Sequence, residues 1–306
     1  MGFGLWSDIS STMGGLLLAE ATGRIPIVHW GEGSKYQDND VEGFSQFFQP
    51  VSSYDIGHEL LDGASERYPA KWQGVALSIK VNNKSTGNES RVSPIHLLSR
   101  TERVVVSDFY TGIKDVLFWL PETHPLLGKS VGETFRYLLR KYFQPRPQIT
   151  AAAQEFVEKE FGGRPFVAAH IRGTDKKMEQ PNLQEVNAAI IDHLRNLDIS
   201  LPIFLMTDDR RWLRLVKDIF GSRVVAADAA RIEGNEGLHY AGGLSGKRLG
   251  FEMLVDTYIA SCADQFVGNG MSNPAAAIAA MKEWQLGTCK LFSLSILHQH
   301  FLGLFR

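Results

Sequence analysis

Apolar residues in the second half of the chain fall into two alternating patterns. Short, nearly unbroken apolar runs occur in "PFVAAHI" (165–171), "PIFLMT" (202–207), "RVVAA" (223–227), "DQFVGN" (264–269) and "CKLFSL" (289–294). They are too short for helices and too uniformly apolar for strands wetted on one face, so they predict strands buried on both faces. Between them, apolar residues recur every three or four positions at 183–197, 209–220, 245–261 and 273–284, which predicts helices. Strand and helix in strict alternation imply a parallel sheet covered on both sides.

The first half is less regular. A helix is expected at 8–22, then a strand "IPIVHW" at 25–30, a stretch of no clear period from about 33 to 73, and strands at 74–81 and 103–110. The polar, turn-rich "NNKSTGNES" separates those last two strands. Helical spacing returns at 131–143 and 147–161, where the pair Gly162-Gly163 ends the second helix. The expected class is α/β, with two Rossmann-like domains facing a central cleft. Their boundary is placed between 121 and 147, giving domains at 1–130 and 131–306.

Composition changes this picture little. A chain of 306 residues can bury a core without disulfides or a structural metal. Its net charge of -2 gives no reason to expect a nucleic-acid partner. Cys262 and Cys289 stand in apolar surroundings at no metal or redox spacing, which reads as buried free thiols. No segment reaches the roughly 20 apolar residues of a membrane span. The first residues lack the basic leader of a signal peptide, so a cytoplasmic location is expected.

Candidate chemistry collects at the carboxyl ends of three expected strands. These are His170 and Arg172 with Asp175, then Thr207, Asp208 and Asp209, then Gly268 and Asn269 leading to Ser272 and Asn273. In a parallel sheet all three ends share one edge, where ligands of open α/β folds bind. Arg172 can grip two phosphate oxygens at once; its structural alternative is an ion pair with Asp175 or Asp208. Ser272, Asn273 and Pro274 predict a capped helix start with amides open to an anion, although ordinary capping explains the same residues. Asp208 or Asp209 is expected to cap the following helix. Asp256, on a mostly apolar helix, needs a buried partner or a ligand donor such as the edge of guanine.

Three other signals fail. In "AGGLSGKRLG" the first P-loop glycine is Ala241 and Arg248 stands where a magnesium-binding Ser or Thr is required. His29 and His239 have no companions at metal spacing, and no Asp-x-Asp pair is present, so no metal site is expected. His298 and His300 fall in an apolar C-terminal tail, read as a closing helix that can pack back on the first domain.

With these residues assembled, the sequence resembles the α-1,6-fucosyltransferase superfamily, and most closely its bacterial nodulation members. "HIRGTDK" at His170–Lys176 is similar to the family's His-x-Arg-x-x-Asp-Lys, Thr207–Asp209 to its Thr-Asp-Asp strand end, and "GLHY" at Gly237–Tyr240 to its Gly-Leu-His segment. Asp256 with Ser272-Asn273 resembles a further pair of family positions, and "GFGLWS", "TGRIPIVHWGEGSKYQDN" and "FFQPV" resemble the start of the nodulation enzymes. The resemblance implies a GT-B fold whose second domain binds GDP-fucose, and inverting transfer of fucose without a metal or cofactor. The acceptor it implies is an oligosaccharide hydroxyl, the 6-OH of N-acetylglucosamine. Carried over, Arg172 holds the β-phosphate, His170 and Asp256 read guanine, and Gly2 and Gly4 bring amides to the diphosphate. Ser272 adds a phosphate contact, and Asp175, Asp208, Asp209, His239 and Asn273 line the donor site. Lys176 or Lys177 supplies phosphate grip where Gly173 replaces an arginine of the eukaryotic members. Glu179 is the candidate base, one residue nearer to Lys176 than the eukaryotic pattern places it. Two alternatives stay open: a transferase for another nucleotide sugar, and a non-catalytic nucleotide-sugar or glycan binder on the same fold.

Overall fold

The computed structural model describes residues 4–31, 34–38, 41–54, 66–74, 94–173, 182–233, 243 and 245–293. The chain divides into two compact units, Met1–Pro145 and Arg146–Arg306.

In the first unit, helix α1 (Leu5–Ala21) starts three residues earlier than the spacing predicts and buries Leu5, Trp6, Ile9, Met13 and Leu17. Gly14 allows another segment to cross it closely, since a Cβ there would fall 2.0 Å from the carbonyl oxygen of Thr111. Strand β1 (Arg67–Tyr68), helix α2 (Pro94–Leu98), strand β2 (Val104–Val105), helix α3 (Ile113–Val116) and helix α4 (Val131–Tyr142) follow. β1 and β2 pair in parallel. Ser130 caps α4: its hydroxyl accepts the Glu133 amide at 3.2 Å, and the Glu133 carboxylate accepts the Ser130 amide at 2.9 Å.

Two expectations fail here. Residues 25–30 join no strand among the described residues, because Pro26 offers no amide and both Ile25 and Ile27 are exposed. Of the expected strand 103–110 only Val104 and Val105 pair. The expected strand 74–81 lies, apart from Gly74, outside the described residues. The aperiodic stretch after 30 is nonetheless packed, because Trp30, Tyr36, Phe44, Phe47 and Phe48 form an aromatic cluster with Phe143. Glu42 fixes that loop by accepting the backbone amides of Trp30, Phe44 and Ser45 at 2.7–2.9 Å.

The second unit is a doubly wound sheet. Helix α5 (Pro147–Phe161) leads to β3 (Val167–His170), α6 (Leu183–Arg195), β4 (Ile203–Met206), α7 (Arg210–Phe220), β5 (Val224–Val225), α8 (Gly246–Cys262), β6 (Gln265–Asn269), α9 (Asn273–Met281) and β7 (Cys289–Phe292). The strand order is β5-β4-β3-β6-β7, all parallel. Val167, Ala169, Ile171, Ile203, Leu205 and Val267 form one face, packed against Val186, Ile190 and Leu194 of α6 and Val216 of α7. The alternate residues meet α5 and α9: Phe156 stands edge-on to Phe204, and Ala275 approaches Gly268. Helix 131–142, expected to open the second domain, belongs to the first unit, and the division falls between Pro145 and Arg146.

The cysteines are free but not sequestered. Cys262 is exposed as the last residue of α8, and Cys289, which opens the edge strand β7, is half-buried. Among the described residues no helix is long and apolar enough to cross a membrane.

Candidate functional site

The chain leaves β3 toward β4 on one side and later returns to place β6 on the other. The carboxyl ends of β3 and β6 therefore form a topological switch point, where the loops diverge and leave a crevice. In register, His170 lies beside Met206 on β4 and Gly268 on β6. The two residues beyond this row on each strand, from Ile171 and Arg172 across to Asn269 and Gly270, make the rim.

His170 is 5% exposed. Burial, aided by the neighbouring Arg172 charge, lowers its pKa to about 3, so the imidazole is neutral at physiological pH. Its Nδ1 has no hydrogen-bond partner among the described residues. Gly268 makes this arrangement possible: a Cβ there would lie 3.1 Å from the Ala275 Cβ and 3.4 Å from the His170 Cβ, so only glycine lets α9 approach beside the histidine without strain.

Arg172 follows two residues later. Its carbonyl accepts the side-chain amide of Asn187 at 2.7 Å, and its guanidinium stands 3.8 Å from the Asp208 carboxylate. Asp208 also accepts the Gly173 amide at 3.1 Å, so one carboxylate orients both the loop backbone and the cation. No side chain fits at Gly173, because a Cβ would fall 2.2 Å from that of Asp209. Asn187, fully buried on α6, is a positioning residue that sequence reasoning missed. An asparagine among apolar helical positions was the available signal.

The adjacent aspartates at the tip of β4 have separate tasks. Asp209 is fully buried and caps α7 by accepting the Arg211 amide at 2.8 Å, and its oxygens also take the Arg211 guanidinium. Asp209 is thus engaged with the start of α7, and Asp208 is the residue of the pair whose carboxylate stands 3.8 Å from Arg172. The Thr207 hydroxyl supports the turn by accepting the Asp209 amide at 3.3 Å.

Beyond β6, the Asn269 side chain accepts the Met271 amide at 2.9 Å, and its carbonyl accepts the Ser272 amide at 3.0 Å. This turn starts α9. Ser272 is the N-cap, yet its hydroxyl makes no cap bond, and Pro274 sits in the first turn. The amides of Asn273 and Ala275 have no carbonyl within the helix to meet, so the helix presents donors and a partial positive charge.

Asp256 lies in the middle of α8 and is 8% exposed. Burial raises its pKa to about 7, opposed by Arg231 and reinforced by Glu252. Its Oδ1 has no hydrogen-bond partner among the described residues. Ser245 caps α8 by accepting the Arg248 amide at 3.2 Å, which assigns Ser245–Arg248 to helix initiation rather than to a P-loop.

Gly4 is the N-cap of α1 in the first unit, with its carbonyl accepting the Ser7 and Asp8 amides at 2.8 and 3.1 Å. Gly2, Asp175, Lys176, Glu179 and His239 lie outside the described residues, as does the C-terminal tail. Among the described residues no group of three or more His, Cys, Asp or Glu side chains is placed to hold a metal ion.

No protein-family profile matches the chain, and no curated protein matches it in sequence. Solved structures do match. The fold is similar to that of NodZ alpha-1,6-fucosyltransferase in crystals soaked with GDP-fucose, with a TM-score of 0.63 and 17% identity over 92% of this chain and 91% of that one. Fucosyltransferase NodZ from Bradyrhizobium gives a TM-score of 0.61 at 17% identity, again over 92% and 91% of the two chains. A mutant of Arabidopsis thaliana FUT1 in complex with GDP gives 0.57 at 12% identity, over 97% of this chain and 70% of that one. With its parallel sheet, its order reversal and its helices on both faces, the chain thus has the α/β fold of these fucosyltransferases.

Proposed function

We propose that the protein is a glycosyltransferase that moves fucose from GDP-fucose to a hydroxyl of an oligosaccharide acceptor. The observation that carries this reading is the convergence, at one switch point, of a cation (Arg172), the open start of α9 (Ser272–Ala275) and a buried neutral imidazole (His170). The first two suit a diphosphate and the third suits a base. The similar structures were solved with GDP-fucose or GDP, which supports the same donor here.

In this reading the fold class is GT-B, with the donor held mainly by the second domain. Arg172 and the α9 amides take up the charge that forms as the bond between the fucose anomeric carbon and the β-phosphate oxygen breaks, so no metal is needed for the departure of GDP. An acceptor hydroxyl, the 6-OH of N-acetylglucosamine in our proposal, attacks the opposite face of that carbon, which inverts it. A base must remove the hydroxyl proton, and Glu179 is the proposed one. Asp208 keeps Arg172 extended toward the rim until the diphosphate replaces it as the principal anion.

Release of GDP from GDP-fucose, with and without acceptor sugars and with a chelator present, tests this. Slow release that survives chelation and drops 100-fold or more in Arg172→Ala is expected. Tight GDP binding with no turnover under any condition would leave a nucleotide-sugar binder instead.

A further inference from the structure

The first unit has a parallel strand pair of its own, and the carboxyl end of that pair carries a carboxylate that the proposed chemistry does not use. β1 and β2 run side by side, and the Val106 amide extends their ladder by donating to the Tyr68 carbonyl at 2.8 Å. Beyond that bond both chains turn away, β1 into the 3-10 turn Ala70–Trp72 and β2 into Ser107 and Asp108. The second of these segments is fixed against α1: the Thr111 amide donates to the Ser11 hydroxyl at 3.4 Å, and a Cβ at Gly15 would lie 3.9 Å from the Ser107 Oγ. Carboxyl ends of parallel strands are where open α/β folds take ligands.

Asp108 ties the two segments together through one oxygen. Its Oδ2 accepts the Trp72 indole N–H at 2.8 Å and meets the Lys71 ammonium at 2.8 Å. The side chain is 10% exposed, and Oδ1 is buried with no hydrogen-bond partner among the described residues. A structural tie accounts for Oδ2 and not for Oδ1, since a carboxylate oxygen kept dry without a donor costs free energy that a ligand's donor would return. Charge narrows the class of that ligand. Lys71 already balances the carboxylate, so a second cation gains little and an anion is repelled, whereas a neutral O–H or N–H donor fits. The next two residues lie open at the surface, Phe109 by 39% and Tyr110 by 47%, and aromatic rings offer the flat apolar faces on which sugar rings stack.

We propose that Asp108 is an acceptor-binding residue: Oδ1 takes a hydroxyl hydrogen of the oligosaccharide, while Trp72 and Lys71 hold the carboxylate in place through Oδ2. This rests on the glycosyltransferase reading and gives the acceptor a subsite in the first unit, built from none of the residues assigned to the donor. Because Oδ1 is shielded in the free protein, the hydroxyl reaches it by displacing a neighbouring side chain.

Transfer kinetics with a soluble N-acetylglucosamine oligomer as acceptor, for the wild type and Asp108→Asn, with GDP affinity measured alongside by calorimetry, test this. The asparagine can keep the Trp72 bond through its carbonyl oxygen, but it offers an amide where the carboxylate accepts the hydroxyl. The acceptor KM is expected to rise about tenfold or more. GDP affinity should stay within about twofold of the wild type, as for an independent site. If the variant does not fold, hydrogen exchange of the wild type decides the matter: the oligomer at saturation should slow exchange in residues 67–74 and 104–112, and GDP alone should not. An unchanged acceptor KM, an equal loss of GDP affinity, or exchange slowed by the oligomer only in the second unit would overturn the inference and leave Asp108 a structural tie. Wild-type protein that binds GDP but no oligomer would overturn this inference alone, whereas protein that binds no GDP would sink the reading of the donor site and this inference with it.

Discussion

His170 and Asp256 are buried side chains that burial moves in opposite directions, to about 3 and about 7 respectively. The histidine gains a proton in the unfolded chain below about pH 6.5 that the folded protein refuses, so its contribution to stability falls as pH drops from 6.5 toward 3. The aspartate does the reverse: between about pH 3.8 and 7 the folded protein keeps a proton that the unfolded chain has lost, so its contribution falls as pH rises through that window. Each slope is about 1.4 kcal/mol per pH unit, and between pH 4 and 6.5 the two cancel. Single substitutions should expose them. In urea unfolding, His170→Asn is expected to lose stability from pH 4 to pH 7, and Asp256→Asn from pH 6.5 to pH 4. Flat profiles in both variants would show that neither group is held dry. The residue types were legible in the sequence, since a histidine at a strand tip and an acid on an apolar helix face both stand out. Asn187 was not legible, because its role comes from a partner 15 residues away.

At the scale of elements, the loop after β3 is shaped by a missing side chain. Gly173 passes so close to Asp209 that a single added methyl overlaps the residue that caps α7. Gly173→Ala should therefore destabilise the protein by about 1–3 kcal/mol and also weaken nucleotide binding, since the Gly173 amide and Arg172 share Asp208. An unchanged denaturation midpoint would mean that the loop has room that the structure does not show. The elements of this half were readable because strands buried on both faces are continuous apolar runs, and two of the helices between them, α7 and α8, carry side-chain caps, Asp209 and Ser245. The first half resisted the same approach. Pro26 interrupts what looks like a strand, and the packing of Trp30, Tyr36, Phe44, Phe47 and Phe48 depends on aromatic contacts with no period.

For the whole molecule, the claim that matters is that the second unit holds a guanine nucleotide at the β3–β6 switch point. Its topology alone would suit many nucleotides. In the proposed function Arg172 and the start of α9 take the diphosphate, and His170 and Asp256 are the residues proposed to read guanine. Calorimetric titration of GDP, UDP and ADP into the intact chain, with chelator present and with Arg172→Ala in parallel, tests this most directly. GDP is predicted to bind in the micromolar range, at least tenfold more tightly than UDP or ADP, and to lose most of that affinity in Arg172→Ala. Equal or better binding of UDP or ADP, or GDP binding that Arg172→Ala leaves untouched, would contradict it.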